Sequence, residues 1–118
     1  MITTDKIARA VIGAIAASAF LATGAMAAEP IVGKWKRKNG TILQYSGSGT
    51  TFCGRVVTGK YKGQSIGCMK GSGSTYVGKV KALDEGKTYK GKAKVSKTIM
   101  KLSGCVSIFC KTETLRRQ

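Results

Sequence analysis

The sequence predicts an all-β fold: a small antiparallel up-and-down barrel of about eight strands, preceded by a cleavable leader. Three observations carry that expectation. Past the leader, no segment repeats apolar residues at i, i+3, i+4 and i+7, and short stretches alternate apolar with polar residues instead. Glycine-rich turn signals separate these stretches. Eight short strands with no helix to cover them would leave open edges, and closing the sheet on itself removes those edges.

The leader comes first. Lys6 and Arg9 make a short basic start, and Ala10 to Ala22 is a charge-free run rich in Ala, Val, Ile and Leu. At roughly 13 residues the run falls short of the ~20 that a bilayer span needs. Ala25-Met26-Ala27 then supplies the small-x-small pattern of a cleavage site. Residues 1–27 are therefore expected to be a signal peptide, with a membrane-anchored or buried helix as the alternative. The first cysteine is Cys53, so no lipid anchor is expected at the new N-terminus. Residues 28–118 form one small domain, expected to be periplasmic or secreted and monomeric, with no transmembrane segment.

The expected strands are Ile31–Lys38, Thr41–Tyr45, Thr51–Thr58, Gly63–Met69, Thr75–Leu83, Lys87–Val95, Thr98–Cys105 and Ile108–Arg116. Asn39-Gly40 is a hairpin signal between the first two. Asp84-Glu85-Gly86 is another, between the fifth and sixth. Ser46-Gly47-Ser48-Gly49 reads as a flexible loop. Alternation is clearest in GKTYKGKAKV, Gly86 to Val95. There Lys90, Lys92 and Lys94 form the outer set, while Gly91, Ala93 and Val95 face a narrow interior. Lys79 and Lys81 repeat the pattern on the strand before, with Tyr76, Gly78 and Val80 inward. A solvated strand face accounts for this fully, and an anion-binding surface is the further reading.

Four cysteines in so short an exported domain read as disulfides. A hairpin about Lys60-Tyr61 sets Cys53 opposite Cys68, within bridging distance at a non-hydrogen-bonded pair. Cys105 and Cys110 can bridge the turn between the last two strands. Of the three possible connectivities, this pairing argument favours 53–68 with 105–110. Free buried thiols at 53 and 68 are the alternative.

The full chain carries 21 Lys and Arg against five Asp and Glu, a formal net charge of +16. Lys6, Arg9 and Asp5 belong to the leader, which leaves 19 bases against Glu29, Asp84, Glu85 and Glu113. Such an imbalance favours anionic partners. Without histidine there is no imidazole base, no Ser-His-Asp triad and no histidine metal site. There is no Cys-x-x-Cys knuckle for zinc or redox work. The adjacent acids Asp84 and Glu85 sit in a turn, unlike the facing carboxylates of a glycosidase. No phosphate-cradling glycine loop has the required spacing. No enzyme activity, metal or cofactor is expected.

Four segments carry a family resemblance: EPIVGKWKRKNG at Glu29–Gly40, FCGRVVTGKYKGQSIG at Phe52–Gly67, GKTYKGKAKV at Gly86–Val95 and LSGCVSIFCKTETLRR at Leu102–Arg117. In this order and spacing they resemble a bacterial family of exported domains, the domain of unknown function 2147. The resemblance covers Glu29 to Gln118 and implies export and a lipocalin-like (calycin-like) barrel, without an activity. The chain departs from the family in two places. Ser46-Gly47-Ser48 stands where similar members often carry a cysteine, and the extra cysteine here is Cys68. Leu115 stands where the family tends to have tryptophan. Gly33-Lys34-Trp35 also resembles the Gly-x-Trp start of lipocalin barrels, whose tryptophan closes the floor beneath an arginine of the last strand. Arg117 matches that arginine, with Arg116 in reserve, and plain core is the alternative role for Trp35.

Two functional readings follow, both without catalysis. In the first, the lysine faces bind anionic envelope components such as lipid headgroups, lipopolysaccharide or another polyanion. Lys34, Lys36 and Lys38 would add to the stripes at Lys79, Lys81, Lys90, Lys92 and Lys94. In the second, a small apolar ligand sits in the barrel mouth, lined by Tyr45, Tyr76 and Tyr89 near Ser46–Thr50. Specific nucleic-acid recognition is not expected, because the aromatics form no stacking platform. A third, blander reading gives the charge no role beyond solubility.

Overall fold

The computed structural model describes residues 29–118, and the expected signal peptide lies outside them. Eight antiparallel strands form a closed barrel in sequence order. They are β1 Gly33–Lys36, β2 Ile42–Ser48, β3 Thr51–Val56, β4 Ser65–Ser72, β5 Thr75–Ala82, β6 Lys87–Val95, β7 Ile99–Val106 and β8 Phe109–Arg117. The seam is short: β1 meets β8 through Trp35 opposite Arg117 and Lys36 opposite Arg116. None of the described residues forms a helix long and apolar enough to cross a membrane.

Each expected strand exists, but several ends move. Ser46, Gly47 and Ser48 are strand, not flexible loop, because they pair with Cys53, Phe52 and Thr51 of β3. Backbone pairing overrides the weak strand preference of serine and glycine. At the start, Ile31 and Val32 fall outside β1. Pro30 follows Glu29 in a turn closed by the Val32 N–H donating to the Glu29 carbonyl at 2.9 Å. Proline presets the backbone angle that the second position of such a turn requires. The turn leads the chain beneath one end of the barrel. Between β1 and β2, Gly40 donates its N–H to the Arg37 carbonyl at 2.9 Å and holds φ 92°, which any side chain would strain.

The two disulfides are Cys53–Cys68 and Cys105–Cys110, and none of the described cysteines is free. Cys53 is paired directly with Cys68 in the β3–β4 ladder. Cys105 faces Cys110 one step below the tip of the last hairpin. Two such bridges fit an oxidising compartment, extracellular or periplasmic.

The interior divides into two halves. Trp35, Tyr45, Phe52, Met69, Tyr76, Met100 and Leu115 are completely or almost completely buried toward the end where β8 meets the N-terminal turn. Phe52 and Tyr76 pack edge to face, centroids 5.7 Å apart. The Tyr45 ring lies so close to Gly54 that a Cβ there would come within 2.8 Å of its Cζ. Aromatics and methionines fill this closed half. The inward residues toward the other end are smaller aliphatics, and that half is hollow.

Candidate functional site

Three surfaces follow from this frame. The closed end is built on Arg117. Its guanidinium lies 4.1 Å from the centre of the Trp35 ring. Nε donates to the Lys97 carbonyl at 2.8 Å and Nη1 to the Val32 carbonyl at 3.0 Å, while Nη2 donates to the Pro30 carbonyl. One side chain thus joins β8, the β6–β7 turn and the N-terminal turn. Trp35 donates its indole N–H to the Ile31 carbonyl at 2.9 Å. Gly33 leaves the necessary space, since a Cβ there would stand 2.9 Å from Arg117 Nη1. Arg116, the reserve candidate, is exposed on the outer face. Glu29 completes the floor by accepting from Gly73 N–H at 2.9 Å and Tyr76 hydroxyl at 3.1 Å. Burial, joined by the neighbouring Glu29 carboxylate, raises the Tyr76 pKa.

The open end holds a cavity of about 830 Å³. Leu43, Val56, Ile66, Val80 and Leu102 form its apolar walls. Across its rim Arg37 Nε donates to Glu113 Oε2 at 2.8 Å, with both side chains about one-third exposed. Tyr61 donates to Asp84 at 2.8 Å, and Tyr89 donates to Glu85. The hydrogen bond to Glu85 is the main cause that raises the Tyr89 pKa. Tyr89 is the only one of the three expected mouth tyrosines that lines this cavity. Tyr45 and Tyr76 sit in the closed half instead, and Ser46–Thr50 lies at that same end. The physical reason is register: Tyr45 pairs with Gly33 and Gly54, far along β2 from the mouth. The Tyr45 hydroxyl is buried without a partner among the described residues, and burial raises its pKa well above the ordinary value.

The third surface is the outer face of β4 to β7. Lys79, Lys81, Lys90, Lys92 and Lys94 are all exposed there. Lys79 stands directly opposite Lys90, and Lys94 directly opposite Lys101. Lys92 and Lys70 flank Val77 from its two sides. None of the four described carboxylates shares this face. Glu29 is at the floor, Glu113 is held by Arg37, and Asp84 and Glu85 are in the β5–β6 turn. Like charges directly opposite in a sheet are destabilising, so the face carries a standing repulsion. Lys34 and Lys36 are exposed on β1, well round the barrel from it, and Lys38 lies in the turn beyond.

The chain matches no family model, no curated protein and no solved structure. Its own geometry is therefore the ground for a functional reading. Among the described residues no group of three or more His, Cys, Asp or Glu is placed to hold a metal ion.

Sequence reasoning missed Lys70 and Lys101 as members of the lysine face, although each alternates with a buried residue, Met69 and Met100 or Leu102. It also missed the Arg37–Glu113 pair. No local signal could have found it, because the partners are 76 positions apart.

Proposed function

We propose that the protein is an exported, non-catalytic binder of anionic envelope components, engaged through the lysine face. One observation carries the reading: Lys70, Lys79, Lys81, Lys90, Lys92, Lys94 and Lys101 share an outer surface without a carboxylate, and two pairs stand directly opposed. A polyanion neutralises that repulsion as it binds, and counterion release adds a salt-dependent gain. The rigid sheet presents the ammonium groups at fixed spacing. Signal-peptide cleavage near Ala27, release into the periplasm or medium, a monomeric state and membership of the domain of unknown function 2147 belong to the same proposal. They rest on the leader and the four quoted segments.

Retention on heparin or on phosphatidylglycerol vesicles is expected to persist near physiological salt. Changing Lys79, Lys90, Lys92 and Lys94 to Gln should lower the slope of log affinity against log salt by about four. The same variant should melt no lower than the parent, because opposed charges have been relieved. Release of the parent at very low salt, or an unchanged slope in the variant, rejects the lysine face as a binding surface.

The cavity favours a second reading, carriage of a small amphiphile with its apolar part among Leu43, Val56, Ile66, Val80 and Leu102. Its volume is in the range of small-molecule sites. A fluorescent fatty-acid probe should bind the parent, and Leu102→Trp should weaken that binding by narrowing the space. Equal binding by both proteins, or none by either, removes this reading.

A further inference from the structure

Turn chemistry does not account for the tip of the β7–β8 hairpin. Ser107-Ile108 is a two-residue turn, with Val106 opposite Phe109 and Cys105 opposite Cys110 behind it. Such turns favour Gly, Asn or Asp, because at least one central residue takes a positive φ. Here Ser107 holds φ 57°, the only non-glycine residue with a positive φ among the described residues. Ile108 beside it is 84 % exposed, Phe109 75 % and Val106 58 %. Three of the four exposed large hydrophobic residues in the described chain therefore fall within four consecutive positions. These side chains pack against nothing that would explain them, and a clustered apolar patch marks an interaction surface.

The surroundings say which partner fits. The tip itself carries no charge. Lys111, one residue on from Cys110, is on the inner side at the cavity rim, and Lys90 stands opposite Cys105 on the outer face. On the neighbouring strand this outer row continues to Lys79, so the tip rises from the edge of the lysine face. Of the acids on this rim, Glu113 is paired with Arg37, while Asp84 and Glu85 accept from Tyr61 and Tyr89 and stand among Lys60, Lys81 and Lys111. Apolar side chains ahead of a basic collar complement an anionic bilayer, with acyl chains beneath a layer of negative headgroups. The Cys105–Cys110 bridge keeps the tip ordered before contact, so little conformational freedom is lost on insertion.

We propose that Val106, Ile108 and Phe109 form an interfacial anchor that inserts into the acyl region of an anionic membrane. The inference rests on the lysine-face reading for the approach to the surface, and adds an inserted element and an orientation. Val106 and Phe109 also line the rim of the cavity, so insertion turns the open end toward the membrane.

The test uses the exported, oxidised protein carrying Phe109→Trp. Trp35, the native tryptophan, is fully buried at the opposite end and provides an unchanging background. Vesicles of phosphatidylglycerol and phosphatidylcholine, with bromine on the acyl chains, should shift the emission of the introduced indole to the blue and quench it. Phosphatidylcholine alone should do neither. A separate variant, Ile108→Ser with Phe109→Ser, should bind the anionic vesicles about tenfold or more weakly while its melting temperature is kept. Co-sedimentation with anionic vesicles but no quenching, and no loss in the serine variant, overturns the anchor and leaves the lysine face standing. Failure to co-sediment at all overturns both.

Discussion

Arg117→Ala should destabilise the oxidised protein by about 3 kcal/mol, one of the two largest effects expected of any substitution here. The guanidinium donates to the carbonyls of Lys97, Val32 and Pro30 and covers the Trp35 ring. A hydrogen bond to a charged group contributes about 1.5–3 kcal/mol and a cation over an aromatic face about 0.5–2. These terms do not add fully, because the carbonyls of Lys97 and Pro30 lie where water can replace the lost donor. For a domain of this size the melting temperature should fall by about 10 °C or more. Arg117→Lys should recover less than half of the loss, since one ammonium cannot reach three divergent carbonyls and still lie flat on the indole. Arg116→Ala, on the exposed side of the same strand, should change stability by no more than about 0.5 kcal/mol. Thermal and urea unfolding of the three variants decide the matter. Equal behaviour of Arg117→Ala and Arg116→Ala would show that the floor does not depend on this clamp.

Removing the Cys53–Cys68 bridge with paired serines should cost a similar amount, about 3 kcal/mol in the chain-entropy account. The bridge closes 15 positions of chain around the β3–β4 connection. The Cys105–Cys110 bridge closes only five, and its removal should cost about 2 kcal/mol by the same account. The ranking follows from how much freedom each link removes from the unfolded chain. In urea titrations of the oxidised protein, the 53–68 variant should therefore show the lower midpoint. The reverse order would mean that the last hairpin, with its positive-φ serine, depends on its bridge more than loop closure predicts. No change in either variant would reject a stabilising role for the bridges altogether.

The strands were legible because each is written locally. Lys90, Lys92 and Lys94 alternate with Gly91, Ala93 and Val95, and the structure puts the first set outside and the second inside. The Cys53–Cys68 bond was legible for the same reason. A hairpin fixes its own register, and that register sets the two cysteines opposite each other. Ser46–Ser48 was not legible, because its strand character comes from pairing with β3 and not from its own side chains. The exposed tip at Val106–Phe109 was hidden for a related reason. In a pattern of alternating residues, an apolar residue is read as inward, and only the end of the hairpin shows that no interior remains beneath it.

Strand order, the sidedness of the lysines and the favoured cysteine pairing could be read along the chain, because period-two alternation and hairpin register act over short distances. Which end of the barrel is filled and which is hollow emerges only when the sheet closes. Each level of the interior is packed by side chains from several strands at once, so the sum that leaves space beside Leu102 and none beside Tyr45 appears in no local stretch. The closure that makes that sum also brings Arg117 over Trp35 and Arg37 to Glu113, contacts between the two ends of the domain.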